Sequence, residues 1–178
     1  MRLMNKALFW LCTILIILVF QGCGVYSMSG NTLNPAIQTV SISNFFNDSG
    51  GGPANLSQTF TEELRDFYQQ NTSLLLISSD GDLQLDGSIV RWNVSPLAPQ
   101  ATGTASTTDV AGQERLTIAI KVVYVNTFDE DQNFEKNFSF YADFDPTRNT
   151  LTEVENDLIE TIFDQIIFDI FNETVANW

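Results

Sequence analysis

The chain has 178 residues with 22 acidic and 8 basic side chains, a net charge of −14, so nucleic acid, whose phosphates demand a basic surface, is not an expected partner. It contains no histidine, which removes Ser-His-Asp and Cys-His nucleophilic arrangements and leaves a zinc site only the uncommon all-carboxylate option. The acidity itself has two readings: it keeps a concentrated protein soluble, or it steers the protein toward a basic patch on a partner.

Arg2 and Lys6 make a short basic start, and an apolar and small-residue run follows from Ala7 to Phe20. That run is too short to span a hydrocarbon core of ~30 Å, and no second stretch of ~20 apolar residues occurs later, so residues 1–22 read as a removable signal peptide. Phe20-Gln21-Gly22-Cys23 resembles the lipobox of bacterial lipoproteins, with a small residue just before the cysteine. Cysteine arithmetic points the same way. Cys12 lies in the removed segment, so Cys23 would otherwise stand as a lone thiol in an oxidising compartment, and acylation of its sulfur resolves that. Two or three acyl chains anchor a protein durably, where one binds only marginally. Residues 23–36, rich in Gly, Ser and Asn, read as a lipidated tether, and residues 37–178 as a single domain.

Within that domain Ile37 to Phe46 is β-like, with Val40 and Ile42 alternating against Thr39 and Ser41. Gly50-Gly51-Gly52-Pro53 reads as a flexible link, since no Gly-Lys-Ser or Gly-Lys-Thr follows to make a phosphate cradle of it. A helix follows, with Leu56, Phe60, Leu64, Phe67 and Tyr68 forming its apolar stripe. Leu74 to Ser78 is expected to be a short buried strand, and Asp80-Gly81-Asp82 turns it into a longer one. There Leu83, Leu85 and Ile89 share one face while Trp92 and Val94 fall on the other, a phase slip around Gly87 to Arg91 that predicts a bulge. Arg115 to Phe128 alternates, Asp129 to Asn133 turns the chain, and Phe134, Phe138, Phe140, Ala142 and Phe144 continue the alternation as the second strand of a hairpin. The last segment is the strongest helix: Val154, Leu158, Ile162, Ile166 and Ile170 form a four-residue ladder, with Thr152 and Glu155 as the expected capping box. The order predicts a right-handed strand–helix–strand crossover, then antiparallel pairing. The fold class is α+β: a two-layer sandwich, a mixed sheet with two helices packed on one face.

Chemistry-bearing constellations are few. Asp129, Asp131 and Asn133 have the spacing that opens a calcium loop but lack its glycine and distal glutamate, so they read as a hairpin turn. Asp143 and Asp145 alternate like a carboxylate pair, yet carboxylates at a strand end are mostly solvated. No cofactor is expected apart from acyl chains on Cys23. The segment from Pro96 to Gln113, punctuated by Pro96, Pro99, Gly103 and Gly112, is long for a link between paired strands. Its one charge is Asp109, and small residues such as Ala101 fill the rest. It suits insertion into a confined place in a partner, or it is an exposed tip.

The lipobox with Gly24-Val25-Tyr26-Ser27, the helix SQTFTEEL, the strand SDGDLQLDGSI, the run EKNFSFYADFD and the terminal DIFNETVANW together resemble the LptE-type lipopolysaccharide-assembly lipoproteins, in their Bacteroidota-type branch. The likeness spans nearly the whole mature chain and rests on the combination. It implies a non-catalytic lipoprotein of the outer membrane that plugs and helps assemble the LptD β-barrel, through which lipopolysaccharide reaches the cell surface. Cys23 maps onto the acylated cysteine. Gly24 is not the Asp that resembles an inner-membrane retention signal, and Val25 to Gly30 lack an acidic surface-export run, so a periplasm-facing position is implied. Arg91, Arg115, Lys121 and Lys136 are the basic residues near the long hairpins and the candidates for lipid or partner contact, although the net charge disfavours direct binding of anionic lipopolysaccharide. The competing reading is an independent small-molecule or glycan-binding lipoprotein, with Trp92 and Tyr141 as a stacking surface on the open sheet. Trp178 is expected to pack the helix end onto the sheet.

Overall fold

A computed structural model describes residues 33–97 and 112–175. In chain order these form β1 (Thr39–Ile42), β2 (Phe46–Asn47), α1 (Leu56–Asn71), β3 (Leu75–Ile77), β4 (Leu83–Pro96), β5 (Glu114–Asn126), β6 (Phe134–Phe144) and α2 (Leu151–Thr174), with a single 3-10 turn at Glu130–Gln132. The sheet runs β3-β1-β4-β5-β6, and β2 continues along the β1 side of β4. β1 is parallel to β3 and β4, β2 is parallel to β4, and β4-β5-β6 form an antiparallel meander. The α+β architecture with a mixed sheet is therefore the one expected. Both helices bury their stripes in one hydrophobic core against Leu83, Leu85, Ile89, Leu116, Ile118, Ile120, Val122 and Tyr124, which leaves the opposite sheet face uncovered.

The helices lock to each other through aromatic edges. Phe60 meets Phe163 with ring centroids 5.0 Å apart, Phe67 and Tyr68 meet Phe171, and the Tyr68 hydroxyl bonds to the buried Thr174 hydroxyl. Thr174 Oγ1 in turn donates to the Ile170 carbonyl at 2.8 Å, so this buried hydroxyl pair is satisfied within the core. Burial pushes the Tyr68 hydroxyl well above the ordinary phenol range, with its Thr174 bond opposing. Tyr124, hydrogen-bonded to the Thr174 carbonyl, is pushed up to about 12 for the same reason.

Several local expectations change. The first strand is not continuous to Phe46. The chain leaves the ladder after Ile42 so that Phe45 turns inward, where its N–H donates to Thr61 Oγ1 at 3.1 Å and its ring packs edge-on against Phe60. Gly87 makes this possible: a Cβ there would collide with the Phe45 ring and the Lys121 carbonyl. The strand at Leu75–Ile77 is not buried; as an edge strand it leaves Leu75 65% exposed. The capping box falls at Thr150 and Glu153, not Thr152 and Glu155: Glu153 Oε2 accepts from the Thr150 N–H at 2.7 Å, and this bond holds the Glu153 carboxyl below its ordinary range.

The expected bulge is present, with Val90 as the extra residue between Ile89 and Arg91. Its consequence differs from the sequence expectation. The extra residue resets the alternation, so Trp92 sits opposite Ile118 and Val94 opposite Leu116, on the same helix-covered face as Leu85 and Ile89. Trp92 then packs on the glycine loop. A Cβ on Gly51 would lie 2.6 Å from Trp92 Cδ1, and Asn47 Nδ2 donates to the Gly51 carbonyl at 2.9 Å. The Gly50–Pro53 stretch is thus a packed platform for an indole rather than a flexible link.

The link from β3 to β4 must pass over β1 to reach its other side. Gly81 makes the crossing in contact with the strand below, where a Cβ would lie 2.6 Å from Ser41 N. Asp82 then closes the start of β1, its Oδ2 accepting from the N–H groups of Gln38 and Thr39, both at 2.9 Å. The Gln38 bond, with help from Thr39, holds the Asp82 carboxyl below the ordinary carboxylate range. This crossing explains why Ser41, on the otherwise open face, is buried.

Candidate functional site

The long β4-β5 ladder gives the domain two functional ends. At one end Leu83 pairs with Asn126, and Leu33 packs beside Asn126, Phe128 and Val175, so the chain enters the domain there. Leu33 already touches the core, four positions before the expected start of the domain at Ile37. At the other end Pro96 pairs with Glu114, and the Leu97 N–H donates to the Gln113 carbonyl at 2.8 Å. Fourteen strand residues separate these ends by about 40 Å.

Of the expected insertion segment, Pro96 closes β4 and Gly112 sits at φ +122° with open space around it. Pro99, Ala101, Gly103 and Asp109 lie outside the described residues, as do Cys23, the signal segment and Trp178.

The four basic candidates do not converge on one point. Directly opposed residues share a face, so the register puts Arg91 (opposite Ala119), Arg115 and Lys121 on the uncovered side, whereas Lys136, opposite Val122, lies on the helix side. Lys136 pairs there with Glu173 of α2 at 3.0 Å. Arg115 makes a two-pronged contact with Asp143, at 2.7 and 2.9 Å, and stacks on the Tyr141 ring 3.5 Å from its centroid. Lys121 pairs with Glu135 at 2.5 Å. Arg91, exposed beside the bulge, has no acidic partner among the described residues.

The other singled-out groups have local tasks. Asp143 is taken by Arg115, and Asp145 accepts from the Thr147 N–H and hydroxyl and is held below its ordinary range chiefly by them, so the two carboxylates do not act as a pair. Asp129 Oδ1 and Oδ2 accept from the Asp131 N–H and Gln132 Nε2, and Asn133 Oδ1 accepts from the Asn126 N–H. These residues build the β5-β6 turn. Trp92 is on the covered face, which leaves Tyr141 alone as an exposed aromatic on the open face of the meander.

Sequence reasoning missed one group. Glu63 of α1 faces a cleft of about 430 Å³ between the helices, lined by Leu56, Thr59, Ile159, Glu160 and Asp164 among others. Its Oε2 is buried without a hydrogen-bond partner. Burial first, then the charges of Asp164, Glu160 and Asp66, pushes its carboxyl up to about 7. On a helical wheel Glu63 flanks the stripe of Phe60 and Phe67, but no sequence pattern shows that its flank meets the acidic flank of α2. Among the described residues no helix is long and apolar enough to cross a membrane.

The described residues form a two-layer α+β domain in which Leu33 and the Pro96–Glu114 pair lie at opposite ends of the β4-β5 ladder and one sheet face is left open. The profile of LptE, described as lipopolysaccharide-assembly, matches residues 37–174, and the chain belongs to that family. Three solved structures share the fold. A Xanthomonas campestris protein aligns with TM-score 0.55 at 11% identity over 82% of this chain and 90% of its own. A hypothetical protein of Chlamydia trachomatis gives 0.52 at 11% over 80% and 100%. A minor lipoprotein of Acinetobacter baumannii gives 0.50 at 13% over 79% and 94%. No curated protein matches.

Proposed function

We propose that this chain is a non-catalytic lipoprotein of the outer membrane, held there by acyl chains on Cys23 and facing the periplasm, that docks inside an LptD-type β-barrel, helps it assemble and serves lipopolysaccharide transport to the surface. The observation that carries the reading is the family match over residues 37–174, nearly the whole domain. The layout supports it: a domain tethered at one end and presenting a hairpin about 40 Å away suits a plug that enters a lumen tip first. Anchoring confines the search for the barrel to a surface and raises its effective concentration. Over β4-β5-β6 the partner need not supply an apolar pocket, since barrel interiors are polar and hydrogen-bonding and charged side chains predominate on that part of the open face.

The independent glycan-binding reading draws less support, because Trp92 is spent on the glycine loop and leaves Tyr141 without its expected stacking partner. The test is gentle extraction of the C-terminally tagged full chain from its native host and mass spectrometry of what co-purifies. A stoichiometric outer-membrane barrel of the LptD type is the expected result; an acylated monomer from cells rich in that barrel would overturn the reading.

A further inference from the structure

The two faces of the domain differ sharply in charge. α2 carries seven acidic side chains and no basic one, and α1 three acidic against the single Arg65. Arg65 is turned toward the sheet, donating to the Ile42 carbonyl at 2.6 Å, so it does little for the outer side of the layer. The open face of β4-β5-β6 carries three of each sign: Asp86, Glu135 and Asp143 against Arg91, Arg115 and Lys121. Two of those pairs are closed on themselves, and Arg91 is the positive charge left over beside the bulge. Between the charges stand uncharged hydrogen-bonding side chains, Ser88, Asn93, Thr117, Asn137 and Ser139, interrupted by Val123 between Asp86 and Glu135 and by the exposed Val90 at the bulge.

Resting on the barrel-docking reading above, we infer that the open face of β4-β5-β6, and not the helix layer, is the surface that lies against the polar inner wall of the barrel. A wall of hydrogen-bonding and mixed charged side chains can satisfy this face at every row, and an acidic wall residue complements Arg91. The helix layer has no such match. Its carboxylates, seven on α2 and three on α1, would have to be stripped of water against a wall whose mixed charges can pair only some of them, and burying an unpaired charge is costly. Left toward the water-filled remainder of the lumen, the helices keep their hydration.

The experiment uses full-length tagged lipoprotein in its native host and reads barrel recovered per lipoprotein. The sheet-face variant combines Thr117→Glu with Ser139→Glu, and Arg91→Glu stands as a single exposed change with little risk to folding. The helix-face variant combines Thr161→Glu with Phe168→Glu on the exposed side of α2. Each purified variant is melted by circular dichroism to show that it folds. At least a tenfold loss of barrel from both sheet-face variants, with the helix-face variant unchanged, is the expected result. Retention of the barrel by folded sheet-face variants, or equal loss from both faces, overturns the inference. Barrel missing from the unmodified protein instead refutes the docking reading itself. A lipoprotein dimer lost on sheet-face substitution would assign the face to a second copy of this chain and overturn the inference as well.

Discussion

Glu63→Gln should stabilise the domain at alkaline pH and do little at acid pH. The side chain lies in the cleft between α1 and α2, its Oε2 buried and unpartnered, with Glu160 and Asp164 on the facing helix, Asp66 on its own, and no basic residue in the lining. Its folded-state carboxyl is pushed up to about 7 against an ordinary 4.5, so the folded protein holds a proton that the unfolded chain has already released. The stability it contributes is complete below about pH 4.5, falls as the pH rises through about 7, and is flat above. A shift of that size would correspond to about 3 kcal/mol for a sequestered group, at about 1.4 kcal/mol per unit. Glu63 is half-open to water, and screening reduces this to about 1–1.5 kcal/mol. Glutamine keeps the shape and the neutral state. The variant should therefore melt about 2–6 °C above the unmodified domain at pH 8 and within about a degree of it at pH 4. Thermal denaturation followed by circular dichroism across pH 4–8 measures this. An unaltered pH slope in the variant, or a lower melting temperature at pH 8, would refute the claim that an unsatisfied carboxylate strains the helix pair.

Gly81→Ala should cost about 2–3 kcal/mol, because the new methyl meets backbone atoms of β1 that cannot rotate away; a denaturant midpoint within error of the parent would show that the crossing has slack. Tyr68→Phe, which removes one half of the buried hydroxyl pair, is expected to cost about 1–2 kcal/mol in the same assay, with neutrality counting against that pair. Cys23→Ser should move the protein from the membrane fraction to the soluble periplasm, and continued membrane retention would refute acylation at that residue. Deleting Ala101 to Val110 leaves the Pro96–Glu114 pairing in place, so the domain should melt unchanged while barrel maturation fails; normal maturation would remove the segment's proposed role.

The legible parts of this chain were those whose signal is local. The ladder Leu158, Ile162, Ile166 and Ile170 identifies α2 whatever it packs against, and the alternation from Leu116 to Tyr124 identifies the central strand of the meander. The bulge was likewise visible as a break in period near Gly87 to Arg91. What the bulge did to Trp92 was not visible. A two-residue period cannot say which residue is looped out, and moving that point by one flips every later side chain to the opposite face. Tertiary contacts also decided that Gly81 crosses a strand, that Gly51 supports an indole and that Phe45 fills the space above Gly87. Each glycine looks the same in sequence, because the group that demands the missing Cβ comes from elsewhere in the chain. The sequence by itself determined the two helices, the long strands of the meander, their order and the acidity of the helices. Only the packed structure decided that one sheet face stays open and nearly neutral, and that Glu63 meets Glu160 and Asp164, because faces and flanks acquire partners only when distant segments are brought together.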